Sequence, residues 1–139
     1  MHHDPEADAA AIWAAVKDMY DCYLSGDRER SNSHIAPDVT LWDTEHEPLV
    51  IGRDGLDALR DTRPAPTETT RVSRIDTSEP LITVAGDYAL CRHTFEVVFE
   101  DPSTPPERVR NTGVWERRDG RWLVVHNHED VLPPAAPAA

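Results

Sequence analysis

An α+β domain, with N-terminal helices packed on a strongly curved and mainly antiparallel sheet, is what this sequence predicts. Three patterns carry that prediction. Apolar residues near the N-terminus recur at helical spacing, those of the second half alternate in strand-like runs, and short glycine-containing turns join these runs as hairpins. With 139 residues, the chain has room for one core and is short for two. Residues 1–132 are expected to form the domain, and 133–139, built of Pro and Ala, a disordered tail.

The first helix is read from Ile12, Trp13, Val16, Met19, Tyr20, Tyr23 and Leu24, whose spacing of three and four places them on one face. Gly26 stops it. Asp27 can cap a second helical stretch through Arg28, Ser31 and Ile35, which Pro37 breaks. The β-branched and aromatic run Val39 to Asp43 predicts a short strand, and the turn-forming residues from Thr44 to Pro48 predict the loop after it. A helix is expected from Asp54 to Asp61, ended by Pro64 and Pro66.

Strand patterns follow at Thr70 to Ser78, at Leu81 to Val84 continuing from Tyr88 to Phe99, at Val109 to Arg118 and at Trp122 to Val131. Gly86-Asp87 and Asp119-Gly120 read as hairpin turns. The Pro-rich stretch from Asp101 to Pro106 reads as a loop.

Composition narrows the function. The 26 acidic and 14 basic residues leave a formal charge of -12, which repels phosphate backbones and anionic membranes, so neither nucleic acid nor a membrane is an expected partner. Cys22 and Cys91, each among apolar neighbours, read as buried free thiols, and no N-terminal run has the pattern of a secretion signal. A soluble cytoplasmic protein is expected. The sequence contains no phosphate-cradling glycine loop, nucleophile elbow or Cys-x-x-Cys pair, and neither a cofactor nor a metal is expected.

The order of helices and strands, the turn Asp119-Gly120-Arg121-Trp122 and the final-strand triplet His126-Asn127-His128 resemble the nuclear transport factor 2-like superfamily, and its SnoaL-like branch best. The segment Gly113 to His128 is similar to the association domain of calcium/calmodulin-dependent kinase II. Gly26 to Pro48, with Asp38-Val39-Thr40-Leu41-Trp42-Asp43 and Glu47-Pro48, resembles ketosteroid isomerase. These resemblances imply a cone-shaped, cystatin-like fold in which helices close one end of the sheet over a pocket for a small molecule.

Asp43 stands where ketosteroid isomerase keeps its general base. Met19 matches that family's tyrosine, with Tyr20 one position away, and Gly113 matches its second aspartate, so the oxyanion-holding pair is incomplete. The alternative for Asp43 is a strand-end carboxylate that accepts backbone N–H groups. His46 and the glutamates beside it read as rim residues.

Alternation places Cys91, His93, Phe95 and Val97 on one face, so His93 is expected to point inward as a proton shuttle or as a core residue. A one-residue slip would turn Arg92, Thr94 and Glu96 inward instead. By the same alternation Asn111 and Trp115 share a face, as do Val125, Asn127 and Glu129, while Trp122, Val124, His126 and His128 are expected opposite. The two histidines lack a third ligand and read as part of a sheet face covered by a second subunit.

The expected activity is cofactor-independent acid–base chemistry, as in an isomerase, cyclase, lyase or dehydratase of natural-product biosynthesis, on a small and largely apolar metabolite. Asp43, His93 and Tyr20 are the candidate catalytic residues; Trp42, Met19, Phe95, Asn111, Trp115, Asn127 and Glu129 are the candidate substrate contacts. The kinase association domain carries arginines at the positions of Gly113 and Glu129 to hold a carboxylate; their absence implies a ligand more readily neutral than anionic. A non-catalytic ligand-binding or oligomerisation domain is the alternative, and a homodimer suits either.

Overall fold

A computed structural model describes residues 3–134. Helix α1 (Pro5–Ser25) begins at Asp4, whose carboxylate accepts the Glu6 N–H at 3.0 Å, and ends at Gly26. With φ of 77°, Gly26 occupies the left-handed region that a side chain disfavours, and its N–H bonds the Cys22 carbonyl. Helix α2 (Arg28–Asn32) is capped by Asp27 and stops before Ile35. Ile35 instead opens strand β1 (Ile35–Trp42), correcting the expected helical stretch. The buried Ile35 and Ala36 are held by β7, and His34 offers its carbonyl to the Val124 N–H at 3.0 Å.

The two-residue strand β2 (Val50–Ile51), which carries no sequence pattern of its own, pairs with β1 and leads into α3 (Gly52–Asp61). Strands β3 (Val72–Thr77), β4 (Leu81–Ala85), β5 (Tyr88–Phe99), β6 (Glu107–Arg118) and β7 (Arg121–Val131) complete the sheet. Its order is β2-β1-β7-β6-β5-β3, with β4 beside the first half of β5 and β3 beside the second. All pairings are antiparallel except β1 with β7. The β6–β7 hairpin turns at Asp119 and Gly120, both with positive φ, a turn whose twist matches that of its strands.

The expected α+β architecture is therefore present, with helices over a curved, unclosed sheet. Its elements run from Pro5 to Val131. Pro133 and Pro134 continue without regular structure, and 135–139 of the expected tail lie outside the described residues.

The core lies between α1 and the concave face. Ile12, Ala15 and Val16 of the helix meet Ile35, Val39, Ala89, Cys91, Trp115, Trp122 and Val124 of the sheet. Cys22 and Cys91 are both buried and free. Polar clasps fix the helix. Arg117 donates to both oxygens of Asp8 at 2.7 and 3.0 Å, lies over the Trp122 ring and reaches Asp87; Trp122 donates its indole N–H to Asp8 at 3.1 Å. Near the other end, Asp18 binds Arg30 and His34, joining α1 to the start of β1.

The last strand departs from simple alternation. Trp115 pairs with Val124 while Val114 pairs with His126, so Val125 is an extra, unpaired residue. Trp122 and Val124 consequently join the core, on the same side as Asn127 and Glu129, with His126 and His128 on the outer face. This corrects the expectation that Trp122 and Val124 share a face with those histidines. Thr40 meets His126 Nδ1 at 2.8 Å on that outer face.

Gly26→Ala is expected to keep the fold and to lower unfolding free energy by about 1 kcal/mol, the usual cost of a left-handed non-glycine residue. Urea unfolding monitored through the tryptophans measures it; an unchanged midpoint would mean that the cap tolerates a side chain.

Candidate functional site

On the concave face the pairing aligns Glu129 of β7 with Asn111 of β6, and Asn111 with His93 of β5, producing a cross-strand row of polar groups. His93 and Asn111 are 6% and 9% exposed, whereas Glu129 is partly exposed. Above the row lies α1. Trp13 and Tyr20, seven residues apart and thus on one helical face, both reach His93.

The Tyr20 hydroxyl lies 2.6 Å from His93 Nε2. Trp13 meets the imidazole edge to face at 5.2 Å between centroids, and Phe95 stacks alongside at 5.8 Å. Nδ1, although buried, has no hydrogen-bond partner within the protein among the described residues. Leaving such a group unmatched costs about 1–3 kcal/mol. Burial drives the imidazole down to about 4, so His93 is neutral at physiological pH. Burial, with the Glu129 charge adding to it, pushes the Tyr20 hydroxyl up and keeps the phenol protonated.

Asn111 directs one amide nitrogen to both Asn127 Oδ1 and Glu129 Oε1, each at 3.0 Å. Burial raises the Glu129 carboxyl above the ordinary glutamate value. The charges of Asp43 and Glu107 add to that rise, while the Asn111 and Asn127 amides oppose it. Burial and a neighbouring acid both favour the protonated form of a carboxyl, and amide donors favour the ionised one.

Gly113, the neighbour of Asn127 across the strands, leaves space for this arrangement. A Cβ there would stand 3.0 Å from Trp115 Nε1 and 3.5 Å from Asn127 Oδ1. The Trp115 indole thus lies across the glycine, 3% exposed.

The other candidates divide by position. Tyr20, His93 and Phe95 come together under α1; Asn111, Asn127 and Glu129 form the adjoining network, and Met19 and Trp115 pack within the core around them. Asp43 accepts Arg63 Nη2 at 2.6 Å and the Glu45 N–H at 2.9 Å, the arrangement of a strand-end carboxylate. Trp42 is 42% exposed and faces away from the core, lining an open cleft of about 440 Å³ with Asp43, Glu45, Glu47 and His128.

A second open cleft of about 600 Å³ lies between α2 and α3. Arg28, Arg53 and Asp57 of its lining are engaged within the chain: Arg28 with Asp61, Arg53 with the Asn32 carbonyl, and Asp57 with Asn32 and Arg60. Among the described residues no three His, Cys, Asp or Glu side chains form a metal-binding group, and no helix is long and apolar enough to cross a membrane.

Two contributors escaped the sequence reading. Trp13 carried a usable signal, since it shares the α1 face of Val16 and Tyr20. Arg63 carried none, as it follows α3 in an irregular segment and meets Asp43 only through the fold.

Residues 12–133 match the family model described as a SnoaL-like domain. No curated protein matches the chain. Among solved structures, a CaMKII hub homology domain from Chlamydomonas reinhardtii is similar at 21% identity and a TM-score of 0.74, covering 91% of this chain and 99% of that one. A ketosteroid isomerase-like protein from Parabacteroides distasonis is 19% identical with a TM-score of 0.72, covering 88% and 86% respectively. A nuclear transport factor 2-like protein of unknown function from Pseudomonas putida reaches a TM-score of 0.76 at 17% identity, covering 90% and 87%. At these identities the likeness establishes the fold.

Above pH 6.5, where even an unfolded histidine is neutral, the buried His93 imidazole costs no deprotonation. As pH falls from 6.5 toward 4, the unfolded chain takes up a proton that the folded one resists, and stability is lost across that window. Urea unfolding of the native chain and of His93→Asn is expected to show this loss reduced in the variant; parallel losses in the two would contradict it.

Proposed function

The chain belongs to the SnoaL-like domain family, and from that premise and the polar row in its cone we propose that it binds a small, largely apolar metabolite and moves a proton on it without a cofactor. The observation that carries this reading is the Glu129 carboxyl. It stands beside Asn111 and Asn127, under the same helix as the Tyr20–His93 pair, with a proton affinity raised by burial and by Asp43. A general acid or base needs this combination of partial desolvation and access.

Glu129 is the proton-transfer group in this proposal. Asp43, tied to Arg63, contributes its charge and thereby raises Glu129. The Tyr20–His93 pair, a protonated phenol hydrogen-bonded to a neutral imidazole, has one proton left to donate toward charge that develops on the substrate, and Asn127 orients it. Trp13, Met19 and Phe95 supply apolar walls. An anionic substrate would meet the Glu129 carboxyl, while the inward Arg117 is already paired with Asp8.

Ring opening of 5-nitrobenzisoxazole tests this without knowledge of the natural substrate. A base removes the ring C–H proton, the N–O bond breaks, and a coloured cyanophenolate is released, so the reaction reports a desolvated base. The protein is expected to catalyse it with a rate that rises with pH through a midpoint above the ordinary 4.5 of glutamate. Glu129→Gln is expected to lose about a hundredfold. Asp43→Asn is expected to retain activity with its midpoint moved down, because it removes one of the charges that raise Glu129. Loss of activity in Asp43→Asn with retention in Glu129→Gln would overturn the assignment and restore Asp43 as the base.

A second reading, an oligomerisation module, is favoured by the hub homology domain among the similar structures and by large apolar residues left exposed, Trp42, Leu81 and Tyr88 among them. Sedimentation equilibrium distinguishes it. A large assembly that lacks base catalysis would favour a scaffold, whereas a monomer or homodimer with catalysis favours the enzyme.

A further inference from the structure

Resting on the reading of the cone as a ligand site, we infer that its ligand is a small organic cation: a protonated amine on an apolar body, with its nitrogen against Glu129 and a hydrogen-bonding group at its far end against His93 Nδ1. The charge distribution carries this. The inward positions include Ala89, Cys91, His93 and Phe95 of β5, Glu107, Val109, Asn111, Gly113, Trp115 and Arg117 of β6, and Trp122, Val124, Asn127 and Glu129 of β7. Arg117 is the cation among them, already paired with Asp8 and Asp87 at the opposite end of β6, and Glu107 and Glu129 are the acids.

Nearby cations are already engaged. Arg63 binds Asp43 and Glu45, Arg110 binds Asp130, and Arg108 donates to the Pro133 carbonyl. Among the described residues no ion pair includes Glu129; its partner is the neutral Asn111 amide. An ionised carboxyl partly removed from water without a countercharge is disfavoured, and a bound ammonium group would supply that charge.

Both ends of the row are consistent with this occupant. Beyond the Glu129 end, the Asp43 charge acts on Glu129, and the -12 net charge of the chain attracts cations and repels anions. At the inner end His93 is 94% buried by exposure, with Nδ1 unmatched within the chain, so a ligand that reaches it satisfies a group the fold leaves without a partner. The Trp13, Tyr20 and Phe95 rings between helix and sheet suit the apolar body. Glu129 is faced by Asn111 and Asn127 from the sheet, by the Asp43 and Glu107 charges and by the Tyr20 hydroxyl, and His93 is neutral, so Glu129 is the group of this row whose charge acidification removes, from above the ordinary glutamate value.

Three probes of nearly one shape, benzylamine, benzyl alcohol and benzoate, test the assignment by calorimetry on the full chain in about 0.15 M salt, where surface attraction is largely screened. Benzylamine is expected to bind about tenfold or more tightly than the alcohol, and benzoate more weakly than both. Glu129→Gln is expected to erase the amine's advantage while leaving the acidic exterior unchanged. In the wild-type chain the amine's affinity is expected to fall as Glu129 is protonated on acidification, with the alcohol's unchanged, a readout that holds even if the variant folds poorly.

Equal or tighter binding of the alcohol or benzoate overturns the inference, as does an amine advantage that survives Glu129→Gln or shows no pH dependence. Failure of all three to bind overturns it too. Turnover of 5-nitrobenzisoxazole reports independently on the proton-transfer reading, so catalysis with no amine preference removes the cation and leaves the base.

Discussion

The extra residue in β7 decides what the cone contains. With Val125 unpaired, Trp122 and Val124 can cover α1 while Asn127 and Glu129, further along the strand, still point inward. Regular alternation from Trp122 would have put Asn127 and Glu129 on the outer face and His126 and His128 under the helix. A bulge therefore lets one strand contribute both to the apolar core and to the polar row. The neighbouring strand β1 adapts as well: its register against β7 shifts between Ile35 and Thr40, the stretch that contains Pro37, which has no N–H to donate.

The row has an energetic cost that the surrounding structure offsets in part. Asn111 serves two acceptors with one amide nitrogen, Tyr20 occupies one ring nitrogen of His93, and Gly113 yields the space that Trp115 and Asn127 use. What stays unmatched is the Glu129 charge and the second ring nitrogen. Core residues can be replaced by well-packed apolar ones without such costs, so an uncompensated acid and an unpartnered imidazole edge at the two ends of one row point to a use. The clasps at Asp8 and Asp18 hold α1 over this row from both of its ends, and so set the height of Tyr20 and Trp13 above the sheet.

Much of the fold was legible in the sequence because its signals are local. Gly26 marks the end of α1, Asp119-Gly120 demands a hairpin, and alternation along β5 and β6 puts His93, Phe95, Asn111 and Trp115 on the inner face. The bulge was not legible, since Trp122 to His126 reads as an unbroken strand without glycine or proline to mark it. Ile35 was misread because the helical spacing that includes it competes with pairing to a strand nearly ninety residues later. The engagement of Asp43 by Arg63 was hidden for the same reason, since an ion pair between two loops leaves no periodic trace. Resemblance pointed to Asp43 as the base, whereas the structure ties Asp43 to Arg63 and sets Glu129 beside the Asn111 amide with its carboxyl raised by burial, at a position where a related family is expected to carry arginine.

The most direct measurement is a carbon-detected NMR titration of the Glu129 side-chain carboxyl, assigned through Glu129→Gln. A carboxyl turned inward beside Asn111, with Asp43 nearby, is expected to titrate above the ordinary 4.5 and to move the resonances of His93 and Tyr20 as it does so. A midpoint at or below 4.5, with no response from either ring, would mean that Glu129 faces water, that β7 lacks the bulge at Val125, and that the cone holds no acid of its own.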